Sequence, residues 1–468
     1  MCAVAAGRYR DTVTDLLPRS TPESQSVPSA AISRLIAALD GIDHVHTLTV
    51  VRHGHVITEA TWAPYDRDLP TAMYSVSKSF TSIAVGLAIA EGRFAIDDRI
   101  VDLIPDAAPQ KPSDRLAALR VRHLLTMTTG HAAEPPLDDR DWARTALAAD
   151  LAYEPGTHWL YNTPATYLLS QIIQTRTGER LLDFLRPRLF DPLGFRDPEW
   201  LQSPTGVDAG GFGLSIRPEE LAVFGQLLLQ RGDWRGRQLV PAEWIDQATA
   251  HQVANESDNA DSRQGYGFQF WRCRHGAYRG DGAFGQYVVV LPDADAVVAI
   301  TGGLPDMQVT LDAVWDELLP AFDTKDAEPL EAVPTAIPAP GGDLRDGEVG
   351  HRYDGPVGEL RIAHGVIEID GRQLPCVPGT WSVSTFAGDP ATGREWYGDQ
   401  VAVAGGWHGD LFVAELRILG DAPTFRLELQ PSGRLRITRD VGFDGSEVWE
   451  GAPASQPATA AHHSAVSP

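Results

Sequence analysis

Hydrophobic and polar residues follow a two-residue period at both ends of the first 320 positions and a helical period between them. Residues 46–62 alternate on either side of a turn at His53 and Gly54, which predicts a β-hairpin, and residues 29–39 carry the apolar stripe of an amphipathic helix. Helical patterns dominate positions 100–200, most clearly at 121–127, 142–151 and 165–177, and another helix is predicted at 218–230. Strand patterns return at 266–271, 287–291 and 296–301.

This order of a strand pair, helices and then strands predicts an α+β fold. An antiparallel sheet is completed by distant parts of the chain and flanked by helices, with a helical region inserted between its strands. Beyond it, short alternating runs predict a separate all-β domain, with a hairpin at 425–437. We therefore expect an N-terminal leader at 1–20, an α+β domain at 21–322, a linker rich in Pro, Asp and Glu at 323–346, a small β domain at 347–451 and a disordered tail at 452–468.

The composition argues against some classes of binding partner and indicates a cellular compartment. A chain of 468 residues, 43% hydrophobic, is long enough to bury a large core. Its net charge of -24, without a basic cluster, would repel nucleic-acid phosphates and anionic lipids, so neither nucleic acid nor a membrane is an expected partner. Three cysteines are too few for a disulfide framework, and the N-terminus lacks the apolar stretch of a secretory signal, so we expect a cytoplasmic protein.

A metal site was considered for the histidines of the first hairpin. His44, His46, His53 and His55 lie close together in sequence, but no paired carboxylates accompany them. We therefore favour exposed hairpin histidines and expect no metal or organic cofactor.

The strongest candidate for chemistry is Ser75, which is followed three residues later by Lys78. Lysine is rare here, with three in the chain, and Lys is the cationic residue that readily loses its proton when it is moved out of water. Residues three apart share one face of the helix predicted at 75–92, so the amine can reach the hydroxyl. The first turn of that helix also offers unpaired NH groups to an oxyanion. The alternative is a serine-rich helix cap with a lysine that extends to the surface.

A serine activated by lysine usually needs a second polar group that relays the proton to the leaving group. Tyr161 is the best candidate, because it lies just before a predicted helix in which Thr163 can cap the first turn and Pro164 can begin it. The alternative is that Asn162 and Thr163 merely build this cap.

Four motifs occur in one order along the chain: Ser75-Val76-Ser77-Lys78, Leu124-Leu125-Thr126-Met127-Thr128-Thr129-Gly130, Tyr161-Asn162-Thr163 before Tyr167-Leu168-Leu169, and Gly280-Asp281-Gly282-Ala283-Phe284-Gly285-Gln286. This series resembles the serine β-lactamase and penicillin-binding-protein superfamily, on the branch of class C β-lactamases, D-aminopeptidases, esterases and aminohexanoate-oligomer hydrolases. The resemblance covers roughly residues 20–320. It implies that Ser75 is acylated, that Lys78 and Tyr161 share general-base and general-acid duties, and that the NH groups of Ser75 and Ala283 form the oxyanion hole.

Two departures from the family pattern bear on the substrate. Thr163 stands where class C enzymes have Asn, and Gly280 stands where the last motif usually begins with Lys or His. The cation that would hold a β-lactam or peptide carboxylate is then missing, unless Arg274 or Arg279 replaces it. Strand-flanking arginines more often face solvent.

A pocket without that cation should suit neutral acyl groups. The residues expected to line it are Trp159, Thr163, Tyr266, Phe268, Trp271 and Gly282. The glycines at 210–213 either shape its floor or form a plain turn. Ordinary core packing is the alternative for the aromatic residues. We expect a serine hydrolase that acts on a small-molecule ester or amide, in an unknown oligomeric state. An acyltransferase of the same fold and a noncatalytic sensor that keeps the fold are the alternatives.

Overall fold

The computed structural model describes residues 15–42, 44–137, 140–322, 324, 336–354, 358–385, 400–443 and 445–454. The contacts divide the chain into two compact units, Met1–Ala336 and Ile337–Pro468. Most of the predicted leader and tail lies outside the described residues, as does about half of the predicted linker. The domain boundaries expected from sequence remain predictions.

The first unit combines helices with antiparallel strands. Its helices are α1 (Ser29–Asp40), α2 (Ser77–Ala90), α3 (Ile100–Leu103), α4 (Asp114–Ala118), α5 (Val121–Leu125), α6 (Trp142–Ala148), α7 (Thr163–Thr177), α8 (Leu181–Leu185), α9 (Asp191–Leu193), α10 (Pro218–Leu229), α11 (Ala242–Thr249) and α12 (Gln308–Ala313). Its strands are β1 (Val45–Arg52), β2 (His55–Thr61), β3 (Thr71–Ala72), β4 (Glu199–Trp200), β5 (Leu214–Ile216), β6 (Asp233–Trp234), β7 (Arg237–Gln238), β8 (Trp271–Arg272), β9 (Tyr278–Gly282), β10 (Gln286–Leu291) and β11 (Ala296–Gly302).

The main sheet has the strand order β2-β1-β11-β10-β9-β8. The hairpin β1–β2 pairs antiparallel with β11, which comes more than 200 residues later, with Leu48 opposite Ile300. Helix α10 lies so close to this sheet that a Cβ at Gly225 would be 2.4 Å from Val297. The sheet closed by distant strands, with helices inserted between them, confirms the predicted α+β class.

Helix α2 runs through the interior of this unit, because helices cover it on several sides. Phe80 stacks on Phe224 of α10 with ring centroids 3.8 Å apart, and a Cβ at Gly86 would lie 2.4 Å from the Trp244 ring of α11. Contacts with α7 cover a further part of α2. The polar side chains at the start of α2 are therefore buried along with the apolar ones.

Two expectations from sequence are wrong in this unit. Residues 266–271 do not form a strand: Gln269 adopts a left-handed backbone with φ 66°, and only Trp271 enters β8. His46 is not exposed but 2% accessible, and its ring stacks on Tyr65 at 3.5 Å. Among the described residues, no group of three or more His, Cys, Asp or Glu side chains could hold a metal ion.

The second unit consists of antiparallel sheets in its described part. Its strands are β12 (Glu348–Arg352), β13 (Glu359–Ala363), β14 (Val366–Ile369), β15 (Arg372–Pro375), β16 (Ser382–Thr385), β17 (Gln400–His408), β18 (Leu411–Ile418), β19 (Thr424–Leu429), β20 (Leu435–Arg439) and β21 (Glu447–Gly451). They form a four-stranded sheet β12–β15 and a six-stranded sheet β16–β21, each in sequence order. The β19–β20 pairing confirms the hairpin predicted at 425–437. In neither unit does a described helix have the length and apolar character needed to cross a membrane.

Candidate active site

Ser75 lies in a single 3-10 turn, Tyr74–Val76, that leads directly into α2. The helix predicted from position 75 therefore starts as this tighter turn and becomes α-helical at Ser77. The three-residue spacing still places Lys78 beside Ser75, with the Lys78 Nζ atom 2.9 Å from the Ser75 Oγ atom. Lys78 does not extend to the surface, since it is 1% exposed.

The amine of Lys78 is surrounded by uncharged hydrogen-bond acceptors. Its Nζ lies 2.7 Å from the carbonyl oxygen of Gly211 and 3.4 Å from the Thr163 Oγ1 atom. Burial lowers the pKa of Lys78 to about 7. A neutral amine has two hydrogens and one lone pair, so it can donate to Gly211 and Thr163 while its lone pair accepts the Ser75 hydroxyl proton. The contacts are those required of a general base.

The glycine run at 210–213 contributes more than the backbone acceptor for Lys78. A Cβ at Gly211 would lie 2.7 Å from the Thr163 Cγ2 atom and 3.5 Å from the Lys78 Nζ atom. A side chain at this position would press against Thr163, whereas its contact with the amine would be an ordinary one. The close approach to Thr163 explains why a glycine stands here, and a role in the floor of the cleft stays a prediction.

Tyr161 is close to both Ser75 and Lys78. Its hydroxyl forms a hydrogen bond with the Ser75 side chain, and its ring centroid lies 4.8 Å from the Lys78 Nζ atom. Burial raises the pKa of Tyr161 well above its ordinary value, and the bond with Ser75 only partly offsets this. The phenol is therefore protonated at neutral pH and can pass a proton between neighbouring groups.

The turn before α7 shows which residue caps the helix. Asn162, not Thr163, is the N-cap: its Oδ1 atom accepts a bond from the NH of Ala165 at 3.1 Å. The expected cap at Thr163 is wrong, because Thr163 begins the helix and turns its hydroxyl toward Lys78. The Asn162 amide donates to Thr129 at 3.2 Å, and Met127 accepts the NH of Leu160 at 2.9 Å. The motif at 124–130 thus holds the backbone that carries Tyr161.

The end of β9 lies against the turn that carries Ser75. A Cβ at Gly282 would be 2.4 Å from the carbonyl oxygen of Met73, so only glycine permits this approach. Ala283 follows at once in the turn between β9 and β10. Its place beside the Ser75 turn is compatible with the expected oxyanion hole, and the role of the two NH groups stays a prediction.

The aromatic side chains expected to line the pocket separate into two sets. Trp159, Tyr161, Tyr266 and Trp271 form one cluster, in which neighbouring ring centroids are 5.0 to 6.4 Å apart. Because Tyr161 belongs to it, this cluster adjoins Ser75. Phe268 instead packs in the core, with its ring 5.5 Å from Trp244. Its expected role in substrate binding stays a prediction.

Arg279 is a buried residue, contrary to the expectation that it faces solvent. It is 2% exposed, and its Nε atom donates to Asp281 at 2.7 Å. Its other nitrogens donate to the Cys273 Sγ and Ser262 Oγ atoms, each at 3.0 Å. Arg274 is paired with Asp261 and Asp312. Each guanidinium nitrogen of Arg279 thus has a partner within the protein.

Two carboxylates near Lys78 were missed by sequence reasoning. Glu134 is exposed and accepts the NH of Thr163 at 2.6 Å, and Asp281 sits on β9. The negative charge of each raises the pKa of Lys78, against the larger effect of burial. No local pattern marks Glu134, which lies in a loop 29 residues before its partner.

Comparison with known proteins identifies the family of the chain. Residues 21–313 match a family model described as Beta-lactamase. The chain belongs to the β-lactamase family. A 6-aminohexanoate-dimer hydrolase from Paenarthrobacter ureafaciens is 26% identical over 63% of this chain and 83% of its own. Esterase EstB from Burkholderia gladioli is 25% identical over 32% of this chain and 45% of its own.

A solved structure shares the fold across both units. The octameric penicillin-binding protein homologue from Pyrococcus abyssi superposes with a TM-score of 0.51 and 14% identity, over 90% of this chain and 99% of that one. At this identity it shows the fold alone. With the family match and the named relatives, this β-lactamase-family chain is a serine hydrolase, as expected from Ser75 and Lys78.

Proposed function

We propose that this β-lactamase-family hydrolase cleaves esters or small amides of uncharged acyl groups through an acyl-enzyme on Ser75. The observation that carries the proposal is the Lys78 amine, which is buried among neutral acceptors 2.9 Å from the Ser75 hydroxyl with its pKa lowered to about 7. A base with a pKa near neutral pH is half deprotonated there, and its conjugate acid can still return the proton.

The reaction follows from the positions of the three side chains. The Lys78 amine takes the Ser75 proton as the Oγ atom attacks the carbonyl carbon, and the developing oxyanion is stabilised by the NH groups of Ser75 and Ala283. The proton then passes through the Tyr161 hydroxyl to the leaving alkoxide or amine, and the carbonyl re-forms as the acyl-enzyme. Water deprotonated by the same groups attacks this ester, which releases the acid and returns the proton to Ser75.

The substrate class rests on the side chains around the attacking hydroxyl. The position of the family's cation is taken by Gly280, where even a Cβ would lie 2.9 Å from Val288 and 3.0 Å from the Ser79 hydroxyl. Arg279 is held by Asp281, so it is not available to a substrate carboxylate. Aromatic rings border Tyr161 instead. Neutral small-molecule esters and amides are therefore better substrates than carboxylate-bearing β-lactams.

A covalent probe tests the proposal directly. A fluorophosphonate should label the native protein on Ser75, as read by peptide mass mapping, and Ser75→Ala should lose both the label and the hydrolysis of p-nitrophenyl acetate. Ser77→Ala is the matched control, because Ser77 lies two residues away and its hydroxyl accepts the NH of Leu214 at 3.1 Å. Absence of label on Ser75 in a folded protein would overturn the proposal. Nitrocefin should be turned over at least about 100-fold less efficiently than the ester, since a missing charge-assisted bond costs about 3 kcal/mol.

A further inference from the structure

Gln269 lies at the centre of the irregular segment where a strand was expected, and it bonds to three separate elements. Its Oε1 atom accepts the Thr166 hydroxyl of α7 at 2.6 Å. Its Nε2 atom donates to the carbonyls of Leu124 and Leu125 of α5, each at 3.0 Å. Its backbone carbonyl accepts the Ser79 hydroxyl of α2 at 2.9 Å. Both ends of the side-chain amide are thus engaged, in a side chain 2% exposed.

Each partner of Gln269 is a short step along the chain from a residue of the site. Ser79 directly follows Lys78, and Thr166 is one helical turn after Thr163. The α5 carbonyls precede Met127, whose own carbonyl holds the NH of Leu160. Gln269 therefore links three segments: its backbone carbonyl holds the helix that follows the nucleophile, and its side-chain amide holds both the helix of the lysine's second partner and the segment that supports Tyr161.

The backbone of Gln269 shows that this linkage is imposed by its surroundings. A φ of 66° is uncommon for a residue with a side chain, and such residues persist where other interactions determine their conformation. Here the NH of Gln269 also donates to the carbonyl of Leu125 at 3.1 Å. The side-chain and backbone bonds together fix Gln269, so it cannot move with α2 or α7 without breaking bonds to the other helix.

We propose that Gln269 is a positioning residue for acyl transfer, which sets the distance between the start of α2 and the start of α7. This inference rests on the proposed function. Lys78 bonds to Ser75 just before α2 and to Thr163 at the first residue of α7. A shift of α7 relative to α2 therefore changes the contacts of the Lys78 amine. Misplacement by about 1 Å at a reacting centre can cost about 100-fold in rate. Gln269 thereby acts on turnover through Thr163 and Tyr161, without contact with the substrate.

The sharpest test removes the bond to α7 without changing the side-chain shape. Thr166→Val should lower kcat for p-nitrophenyl acetate by about tenfold, slow fluorophosphonate labelling of Ser75 equally, and leave KM within about twofold. Thr166→Ser retains the hydroxyl and should restore kcat to within about twofold. Gln269→Met should lower kcat at least as much, and the double variant should be no worse than Gln269→Met alone, because both remove one interaction.

The control is Thr47→Val, which breaks a buried threonine bond of 2.7 Å to Thr301 between β1 and β11. It should lower the melting temperature much as Thr166→Val does, yet leave kcat unchanged. The positioning role is overturned if Thr166→Val, folded and labelled on Ser75, keeps full kcat, or if Thr166→Ser fails to restore it. Loss of labelling in the native protein itself would instead overturn the proposed function, so the two failures are distinct. If Gln269→Met does not fold, the Thr166 pair still decides.

Discussion

Two buried cations of the first unit, Lys78 and Arg279, differ in what neutralises them. They are 1% and 2% exposed, and both lie next to the aromatic cluster that contains Tyr161. The hydrogen bonds of Lys78 go to hydroxyls and a carbonyl, and burial lowers its pKa to about 7. Burial also acts to lower the pKa of Arg279, but interactions with Cys273 and Asp281 outweigh burial, so the Arg279 pKa is raised.

Burial alone therefore does not decide whether a cation can serve as a base. Arg279 keeps its proton because a guanidinium is intrinsically the stronger base and because a carboxylate lies 2.7 Å from its Nε atom, whereas burial among neutral acceptors lets Lys78 release its proton near neutral pH. The carboxylates that act on Lys78, those of Glu134 and Asp281, make none of its hydrogen bonds and only moderate the effect of burial.

Replacement of the Lys78 amine by a guanidinium should have the largest effect on activity. In Lys78→Arg the group stays protonated at any pH at which the protein is folded, so kcat/KM for p-nitrophenyl acetate should fall by about 1000-fold. Lys111→Arg, at an exposed lysine, is the control and should be fully active. Full turnover by Lys78→Arg would show that Lys78 is not the base.

Removal of each cation should affect stability unequally. Arg279→Met leaves the half-buried Asp281 carboxylate without its partner and should lower the free energy of unfolding by about 3–5 kcal/mol. Lys78→Met removes an amine that has no bonded counter-ion, so it should cost about 1 kcal/mol or less, since relief from desolvation offsets the lost hydrogen bonds. Urea unfolding followed by tryptophan fluorescence measures both. Equal decreases in the free energy of unfolding would contradict the inferred difference between a cation paired with a carboxylate and one bonded only to neutral groups.

The pH dependence of the rate should report the pKa of Lys78. The amine must be neutral to accept the Ser75 proton, so kcat/KM should rise about tenfold per pH unit below pH 7 and level off above it. The measurement is initial ester hydrolysis between pH 5 and about 8.5, corrected for the spontaneous reaction. A rate that still climbs about tenfold per pH unit at the upper end of this range, as for the ordinary lysine pKa of about 10.4, would contradict the inferred effect of burial.

The smallest expected effect comes from the exposed carboxylate near Lys78. Glu134→Gln removes a negative charge that raises the Lys78 pKa, so the acidic limb of the rate profile should move to lower pH. The shift should shrink in 1 M salt, because exposed charges are screened. Glu154→Gln, an exposed glutamate paired with Arg115, is the control and should leave the limb in place. A shift to higher pH would reverse the assigned sign.

Local patterns predicted the elements that depend on nearby residues. Hydrophobic period and turn residues were sufficient for four elements: the hairpin β1–β2, helices α2 and α7, and the hairpin at 425–437. The pattern at 266–271 failed, because aromatic residues typical of strands here surround a left-handed Gln269 held by distant helices. Solvent exposure was likewise misjudged for Arg279, whose partners come from other segments.

Sequence by itself determined that Ser75 and Lys78 meet, since residues three apart in one helical turn lie on the same face. The sequence also showed that Tyr161 and the glycine-rich motif at 280–286 follow in the order typical of the family. Only the tertiary structure decided what these groups can do. The acceptor at Gly211 is 133 residues from Lys78, and the segments that exclude water from the amine come from across the unit. A pKa depends on all charges and dipoles around the group, and a linear pattern does not contain those distances.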